Sequence, residues 1–422
     1  MNAPFKKAQR QEYRVVSLQQ LIDGGFESQG SPVTVTVSKC LPGTELEVAP
    51  VSFGATSAPI FDYVTHPADE MWNPGKIAIP EINIYHLQNA VVHGESGLIT
   101  VGDILVRESL KLPSYEHFDI RWTGHDVMSL PQDKPSLTVG RGAHIFCGYP
   151  ATRNYSHFIV DILSSALVPP LNNAFAEATP IMPPLLYDYQ RDYMSHFPEL
   201  FDHSIFLEGH TQAFCHELLF SDFGATNQHH YPHPYHATVM QFLRDRILAK
   251  NPGLEKTFPQ KIYINRLDSA ARRLLNETDV IECAEAHGFT SLSLSPLSVA
   301  EQVALFTNAT HIIAPHGAGG TNILFCQPGT SFLELHLDHY IQWSMRRINS
   351  LVPIRYGCVI GRENGDEQQT WKRTWTIDIQ ELDATIGDML RPHVFGRRPS
   401  PGDAPKQPLL LNRLWKRKLV SN

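Results

Sequence analysis

A glycine-rich stretch at residues 311–325 has the residue types and the spacing of an anion-binding site. A short, mostly apolar run of strand length leads into a turn of small residues, and an uncharged segment of helical length follows. Gly317, Gly319 and Gly320 leave backbone NH groups uncovered, and the partial positive charge at a helix N-terminus attracts anions. The stretch therefore predicts a phosphate site, although close packing of a helix on a sheet would also explain the glycines.

A second buried strand follows the glycine-rich stretch and carries a carboxylate. The dipeptide Pro328-Gly329 turns the chain into residues 331–336 (SFLELH), which place Glu334 near the end of the strand. In an open α/β sheet, ligands collect at the C-terminal ends of the strands. We therefore expect His316 and Glu334 to belong to one ligand site. For His316 taken alone, a hydrogen-bonded core histidine is an equally good explanation.

A histidine and an aspartate four residues apart are the candidates for acid–base chemistry. The apolar spacing of residues 154–163 fits a helix and puts His157 and Asp161 on one face. His157 could take a proton while Asp161 orients its ring and stabilises its charge. Two alternatives stay open: Asp161 is itself the base, or the two residues form an ordinary pair on a helix surface.

Four histidines lie within eight residues of one another: His229, His230, His233 and His236. Imidazole groups suit zinc, copper or nickel. Two prolines interrupt the helical geometry between them, however, and no carboxylate or cysteine nearby completes a ligand set. We interpret the cluster as a Pro-braced loop between domains and predict no metal site. The alternative is a metal-dependent hydrolase built on these histidines.

Composition and charge narrow the function classes. The chain has 422 residues, 42% of them hydrophobic, and a net charge of −8. The last 28 residues carry seven basic side chains and one acidic one, so the remainder is strongly acidic, which argues against a nucleic-acid groove.

No run has the length of a transmembrane helix and the N-terminus lacks the apolar core of a signal peptide, so we expect a cytoplasmic protein. Six scattered cysteines predict buried thiols.

Strand and helix patterns predict an α/β protein with four regions. Residues 1–139 show short apolar–polar alternations typical of a β-rich N-terminal region. Residues 140–252 and 253–394 alternate strand-like with helical segments, which indicates two doubly wound domains. Ser298 and Glu301 have the spacing of a capping box, and Asp378 is the expected cap of a helix over residues 379–390. The basic tail, residues 395–422, fits either an interfacial membrane helix or a cationic tail that aids solubility.

Three groups of motifs resemble glycosyltransferase family 61. They are residues 154–158 (NYSHF) with Asp161, residues 263–266 (YINR) with 272–277 (RRLLNE), and residues 315–322 (PHGAGGTN) with 328–330 (PGT) and Glu334. The resemblance spans roughly residues 80–390. Gly320 stands where many members carry a large apolar residue, which bears on local packing. The chain also lacks the N-terminal membrane anchor of the Golgi members, which suggests a bacterial-type cytoplasmic enzyme.

The resemblance implies a GT-B fold, in which two Rossmann-like domains face each other across a cleft, and an inverting transfer of a sugar from a nucleotide-diphosphate donor. Such a transfer needs a base for the acceptor hydroxyl and a positive environment for the departing diphosphate. A helix N-terminus and basic side chains do the second job, so neither a metal nor another cofactor is expected. The implied acceptor is a surface or capsular polysaccharide, or a lipid-linked glycan at the inner membrane face.

The resemblance also assigns the site residues. His157 or Asp161 would be the base, and Arg266 and Arg272 would bind the diphosphate through their guanidinium groups. Glu334 would accept hydrogen bonds from the ribose hydroxyls. The full donor set is Arg266, Arg272, His316, Gly317, Ala318, Gly319, Gly320, Thr321, Asn322 and Glu334. Spacing leaves open whether Arg272 or Arg273 faces the site. The rival functions are a nucleotide- or sugar-binding module without catalysis and the metal-dependent hydrolase.

Overall fold

The computed structural model groups the chain into two units. Unit 1 comprises Met1–Thr44 and Ile79–His233, and unit 2 comprises Glu45–Ala78 and Pro234–Asn422. The described residues are 10–28, 30–54, 74–94, 96–110, 127–131, 135–145, 153–171, 175, 177–209, 211–223, 231–269, 271–338, 341, 343–364 and 373–392. The basic tail predicted at residues 395–422 therefore lies outside the described residues.

The strands are numbered along the chain. They are β1 Arg10–Val16, β2 Glu27–Ser28, β3 Ser31–Pro32, β4 Val35–Leu41, β5 Thr44–Val48, β6 Phe53–Gly54, β7 Gly75–Ile79, β8 Ile82–His93, β9 Ile99–Val101, β10 Ile104–Val106, β11 Val127–Pro131, β12 Leu137–His144, β13 Thr179–Met182, β14 Ile205–Phe206, β15 Gln212–Ser221, β16 Lys261–Ile264, β17 Thr290–Leu292, β18 His311–Pro315, β19 Ser331–Leu337, β20 Arg355–Asn364 and β21 Thr374–Thr376.

The helices are numbered in the same way. They are α1 Leu18–Asp23, α2 Tyr155–His157, α3 Ser164–Leu171, α4 Asp188–Ser195, α5 Pro198–Phe201, α6 Tyr235–Lys250, α7 Glu277–Ala286, α8 Val299–Asn308, α9 Ser344–Asn349 and α10 Ile379–Leu390. A π-helical turn, Phe158–Leu163, joins α2 to α3, and 3₁₀ helices cover Arg107–Ser109, Leu254–Thr257 and Ala318–Phe325. Among the described residues, no helix is long and apolar enough to cross a membrane.

The described part of unit 1 is built on a mixed sheet of ten strands. Nine of them run in the order β11-β1-β10-β9-β8-β15-β12-β13-β14, and β4 also pairs with β8. Strand β8 is antiparallel to β4, β9 and β15, whereas β12 is parallel to β13 and β15. The predicted boundary at residue 139 lies inside β12, and strands on both sides of it share this sheet.

Short connections between consecutive strands produce the antiparallel part of this sheet. Strands β9 and β10 are joined by a two-residue turn in which Gly102 has φ +58°, a left-handed conformation that glycine adopts at little cost. The core on one side of the sheet gathers the fully buried Leu87, Ala90 and Val92 of β8 against Leu18 and Leu21 of α1. Local hairpins and apolar alternation thus explain how the N-terminal strands join the sheet.

A buried histidine at the end of β12 gives unit 1 a pH-dependent stability. His144 is 4% exposed, its Nε2 donates to the carbonyl of Gly97 at 2.7 Å, and burial lowers its pKa from 6.5 to about 4. The unfolded chain therefore takes up a proton near pH 6.5, whereas the folded chain does so only near pH 4. This contribution to stability is complete above pH 6.5 and is lost as the pH falls towards 4, by about 3 kcal/mol.

The measurement is chemical unfolding of the wild type and of His144→Gln at several pH values between about 7.5 and 4. The glutamine can still donate to Gly97 but does not titrate. The free energy of unfolding of the wild type should therefore fall by about 3 kcal/mol relative to the variant over this range. All other titrating groups are shared and cancel in the difference. A difference that is constant with pH would contradict the lowered pKa.

The described part of unit 2 contains a mainly parallel sheet. Its order is β17-β16-β18-β19-β20-β21, with β6 also paired to β20. All neighbours from β17 to β20 are parallel, whereas β20 and β21 are antiparallel. The chain passes from β16 to β17 on one side and then to β18 on the other, so the strand order reverses at β16. The carboxyl ends of strands at such a switch point form the crevice where open α/β sheets bind ligands.

Two predicted helix starts in unit 2 are confirmed. Ser298 and Glu301 form the capping box at the start of α8, each side chain bonding to the other residue's backbone NH. Asp378 caps α10, which spans the predicted residues, by accepting from two backbone NH groups. The chain is therefore an α/β protein, as expected, with a mixed sheet in unit 1 and a mainly parallel sheet in unit 2.

Candidate functional site

The glycine-rich stretch lies at the carboxyl end of β18, as the sequence predicted, but the segment after it is not an α-helix. Gly317 continues in an extended conformation, and Ala318–Phe325 forms a 3₁₀ helix. Glycines lower the propensity for an α-helix, and i to i+3 bonds accommodate the short connection to β19. The NH of Gly320 donates to the carbonyl of Gly317 at 2.9 Å, so this NH group is engaged within the turn.

The guanidinium group of Arg266 lies directly against this turn. Arg266 follows β16, and its Nη1 donates to the carbonyl of His316 at 3.3 Å. A Cβ atom on Gly317 would collide with the same guanidinium nitrogen, so the glycine permits this approach. The backbone NH of Arg266 donates to Glu277 at 2.7 Å, and Nη2 donates to Ser269 and to a neighbouring carbonyl. The arginine is thus held in place from several sides.

Two arginines, Arg266 and Arg272, place positive charge near the glycine-rich turn. Burial, together with the charge of Arg272, lowers the pKa of Arg266 to about 10, which leaves it charged at neutral pH. Arg272 has φ +51°, a left-handed conformation that is strained for an arginine, and its carbonyl accepts from the indole of Trp375 at 2.8 Å. Arg273 is exposed, whereas Arg272 is half-buried and its charge also acts on His316. Of these two arginines, Arg272 is therefore the one whose charge acts on both Arg266 and His316.

His316 and Glu334 are brought together, as predicted, in a buried network that includes two further side chains. Nδ1 of His316 donates to one oxygen of Glu334 at 2.7 Å. The hydroxyl of Tyr356 donates to the other oxygen at 2.6 Å, and Nε2 of His336 lies 3.1 Å from both that oxygen and the hydroxyl. The rings of His316 and His336 are stacked with centroids 5.3 Å apart.

Burial and hydrogen bonds together set the charges of His316 and Glu334. Burial lowers the pKa of His316 to about 4 despite the neighbouring carboxylate, so the imidazole is neutral at pH 7. Burial alone would raise the pKa of Glu334, but the charge of His336 and hydrogen bonds from both histidines outweigh burial and lower it well below its usual range. An ionised Glu334 thus fixes a neutral His316 at the carboxyl end of the sheet.

This geometry revises the role expected for Glu334. The residue is 1% exposed, and both carboxylate oxygens accept hydrogen bonds from neighbouring side chains. In that arrangement Glu334 orients His316 and does not present an oxygen to a ribose. Thr321 and Asn322 are also fully buried, and the amide of Asn322 donates to Gln302 of α8 at 3.0 Å. They brace the turn, whereas Ala318, Gly319 and Gly320 are partly accessible.

Sequence reasoning missed His336 and Tyr356. A signal for His336 was present, because residues two apart in a strand point to the same face and His336 follows Glu334 at that spacing. Tyr356 has no such signal, since its position depends on the pairing of β19 with β20, in which it stands opposite Phe332. Long-range register of this kind is not encoded in a local pattern.

His157 and Asp161 lie in unit 1 at a π-helical turn. Asn154 caps the start of α2 by accepting from the NH groups of Ser156 and His157. Nδ1 of His157 lies 2.8 Å from Oδ2 of Asp161, whose side chain is fully buried, whereas that of His157 is 24% exposed. The hydroxyl of Ser164 donates to the carbonyl of Ile159, a group that π-helical geometry displaces from the regular ladder. π-helical turns of this kind are frequent at functional sites.

The geometry separates the three interpretations of this pair. A fully buried aspartate is not part of an ordinary surface pair. His157 is partly accessible, and its Nδ1 is hydrogen-bonded to the buried Asp161. A buried carboxylate behind an accessible imidazole is the arrangement that general bases use.

The histidine cluster falls on a part of the chain that is only partly described. His229 and His230 lie outside the described residues. His233 is buried and its Nε2 lies 3.2 Å from the carbonyl of Pro42, and His236 is fully buried in α6. Neither belongs to the groups of three metal-capable side chains that the described residues form, which are His316 with Glu334 and His336, and Cys283 with His287 and Asp383.

Comparison with known proteins agrees with the motifs. The family model for Glycosyltransferase 61 matches residues 155–333, a stretch that contains His157, Asp161, Arg266 and the glycine-rich turn. No curated protein matches the chain. The family match thus agrees with the motif resemblance: residues 155–333 are similar to glycosyltransferase family 61, which supports a glycosyltransferase.

Proposed function

We propose that the protein transfers a sugar, with inversion, from a nucleotide-diphosphate donor to a hydroxyl of a growing surface or capsular polysaccharide or of a glycolipid. In this proposal the two units are the acceptor and donor halves of a GT-B enzyme. The donor half is unit 2, and the acceptor half is unit 1. Transfer takes place in the cytoplasm, and a lipid-linked acceptor would bring the enzyme to the inner face of the membrane.

One observation carries the proposal: the guanidinium of Arg266 packs on the extended Gly317, at the switch point between β16 and β18. A diphosphate carries its charge on planar groups of oxygens that a guanidinium binds through two hydrogen bonds. Burial strengthens this attraction because the local dielectric constant is lower than that of water. Arg272 adds a second positive charge, so the developing charge on the leaving diphosphate is stabilised by side chains.

His316 has a separate role in this proposal. Because its Nδ1 proton is held by Glu334, the ring of His316 has a fixed orientation next to the glycine-rich turn, and the neutral imidazole adds no further positive charge. Glu334, His336 and Tyr356 position the ring without touching the donor. Both oxygens of Glu334 are taken up by side-chain hydrogen bonds, so this cluster serves as a hydrogen-bonded support and the proposed mechanism has no metal ion in it.

The acceptor half provides the base. His157 takes the proton of the acceptor hydroxyl through Nε2 as the oxygen attacks the anomeric carbon, and Asp161 stabilises the resulting imidazolium. The bond from the anomeric carbon to the diphosphate breaks in the same step, so the sugar is transferred to the acceptor with inverted configuration. Both half-sites lie in the stretch that matches the family, which supports their assignment to one reaction.

The experiment that tests the donor site is binding of nucleoside diphosphates to wild type and Arg266→Ala by calorimetry. We expect the dissociation constant of the preferred nucleotide to rise by about 10- to 100-fold, since a charge-assisted hydrogen bond contributes about 1.5–3 kcal/mol. Arg273→Ala is the matched control, because Arg273 is exposed and lies in the same loop as Arg272. Equal affinity of Arg266→Ala and wild type would remove Arg266 from the phosphate site.

A further inference from the structure

A second group of chemically reactive side chains lies elsewhere in unit 2, where α7 and α10 pack together. Cys283 is in the last turns of α7, His287 ends that helix four residues later, and Asp383 is in the second turn of α10. Nε2 of His287 lies 2.8 Å from Oδ1 of Asp383. One ligand atom from each of the three residues lies within 4.8 Å of the other two.

The spacing of these atoms is close to what a tetrahedral metal requires. Zinc binds sulfur at about 2.3 Å and nitrogen or oxygen at about 2.0–2.2 Å, which places neighbouring ligand atoms roughly 3.5 Å apart. Cys283 and His287 are one helical turn apart and project from the same face of α7. The side chain of Asp383 is 64% exposed and that of His287 is 26% exposed, so both can turn by the small amount needed.

The surroundings favour a cation. A surface depression of about 440 Å³ opens beside the cluster, and its lining includes the carboxylates Asp279 and Glu282 as well as Cys283 and Asp383. The extra negative charge attracts a divalent ion, and the depression gives a bound metal room for a water molecule as the fourth ligand. On the other side, Lys261 donates to the backbone carbonyl of His287 at 3.2 Å and fixes the end of α7.

We infer that Cys283, His287 and Asp383 form a binding site for a divalent ion of zinc type, which clips α7 to α10. One thiolate, one imidazole and one carboxylate are ligands that zinc accepts together, whereas magnesium and calcium prefer oxygen alone. The metal displaces the hydrogen bond between His287 and Asp383 and the proton of the Cys283 thiol, so binding releases a proton to solvent. Burial and the nearby Asp383 raise the pKa of Cys283, so the thiol is protonated until a cation binds.

Helix α7, which carries Cys283 and leads to His287, also contacts Arg266 at its other end. Glu277 begins α7 and holds both the NH of Arg266 and the hydroxyl of Tyr263, so the helix that the metal clips at one end supports Arg266 at the other. The ion lies outside the proposed reaction. Removing it should lower the thermal unfolding temperature while nucleotide affinity below that temperature stays the same, which separates this inference from the proposed function.

Cobalt(II) is the probe, because a thiolate ligand gives it a charge-transfer band and tetrahedral geometry gives intense visible bands. Full-length protein is stripped with a chelator, freed of it and titrated with cobalt(II). We expect one ion per chain with a thiolate band, which zinc(II) displaces. Cys283→Ser should abolish the band, and Asp383→Asn should weaken binding by at least about tenfold. Asp388→Asn, on the exposed face of α10, is the matched control and should bind as the wild type does.

Two results would overturn the inference. One is the absence of a thiolate band in the wild type at saturating cobalt(II), and the other is an unchanged band in Cys283→Ser. Circular dichroism of each variant without metal checks that the fold is retained. Both substitutions replace partly accessible side chains with others of similar size, so they leave the packing of α7 on α10 in place.

Discussion

Replacing His157 with alanine is expected to lower the turnover number by about 10²- to 10⁴-fold, the usual contribution of a general base. The affinity for the nucleotide donor should stay the same, because the donor is assigned to unit 2 and His157 lies in unit 1. Initial rates of donor consumption, together with nucleotide binding by calorimetry, measure the two effects separately. His203→Ala is the matched control, since it removes an exposed histidine from the same unit.

The variant Asp161→Asn tests whether Asp161 is itself the base or only orients and stabilises His157. The asparagine preserves the shape of the side chain but removes the charge that stabilises the imidazolium. We expect a smaller loss of turnover than in His157→Ala, because the imidazole that accepts the proton is still present. If His157→Ala keeps its turnover while Asp161→Asn loses it, the base is Asp161 and the assignment made here is wrong.

The largest effect on stability is expected at Glu334. Glu334→Ala should lower the free energy of unfolding by about 3–5 kcal/mol, because it removes one partner of a buried, charged network. His316, His336 and Tyr356 are buried, and each would lose its contact with a carboxylate oxygen. Denaturant unfolding of the full chain measures the loss.

Two further variants make this prediction specific. Glu334→Gln retains two polar atoms and should recover part of the stability, but it does not carry the charge that holds the Nδ1 proton of His316. Glu285→Ala removes an exposed carboxylate from α7 and should change stability by less than about 0.5 kcal/mol. If Glu334→Ala lowers the free energy of unfolding by less than about 1 kcal/mol, the hydrogen-bonded network around Glu334 does not stabilise the fold.

The parts of the site that the sequence revealed are those with local signals. The apolar run of β18, the turn of glycines after it and the capping box at Ser298 each depend on neighbours within a few residues, and each lies where it was expected. The approach of Arg266 to the turn could also be anticipated, because parallel strands bring their carboxyl ends to one edge of a sheet. These features needed only strand periodicity and helix chemistry.

The parts that the sequence did not reveal depend on contacts between distant segments. The burial of Glu334 follows from the pairing of β19 with both β18 and β20, which encloses the side chain within the sheet. In the same way, the long β8 pairs with β4 and β9 on the N-terminal side and with β15, which pairs with β12. The N-terminal strands therefore share one sheet with β12, and the change in local pattern near residue 139 does not mark a structural boundary. The 3₁₀ form of Ala318–Phe325 depends in part on the short connection to β19, which a local apolar pattern of helical length does not reveal.

In the proposed reaction, the protein transfers a sugar from a nucleotide diphosphate without a metal. The most direct measurement follows a panel of nucleotide sugars by proton NMR, with full-length protein and excess chelator, and without an acceptor. We expect slow hydrolysis of one nucleotide series, release of the nucleoside diphosphate, and a first-formed sugar whose anomeric configuration is opposite to that of the donor. A donor that binds without being consumed would indicate a binding module, and a retained anomer or a strict need for added metal would contradict the mechanism.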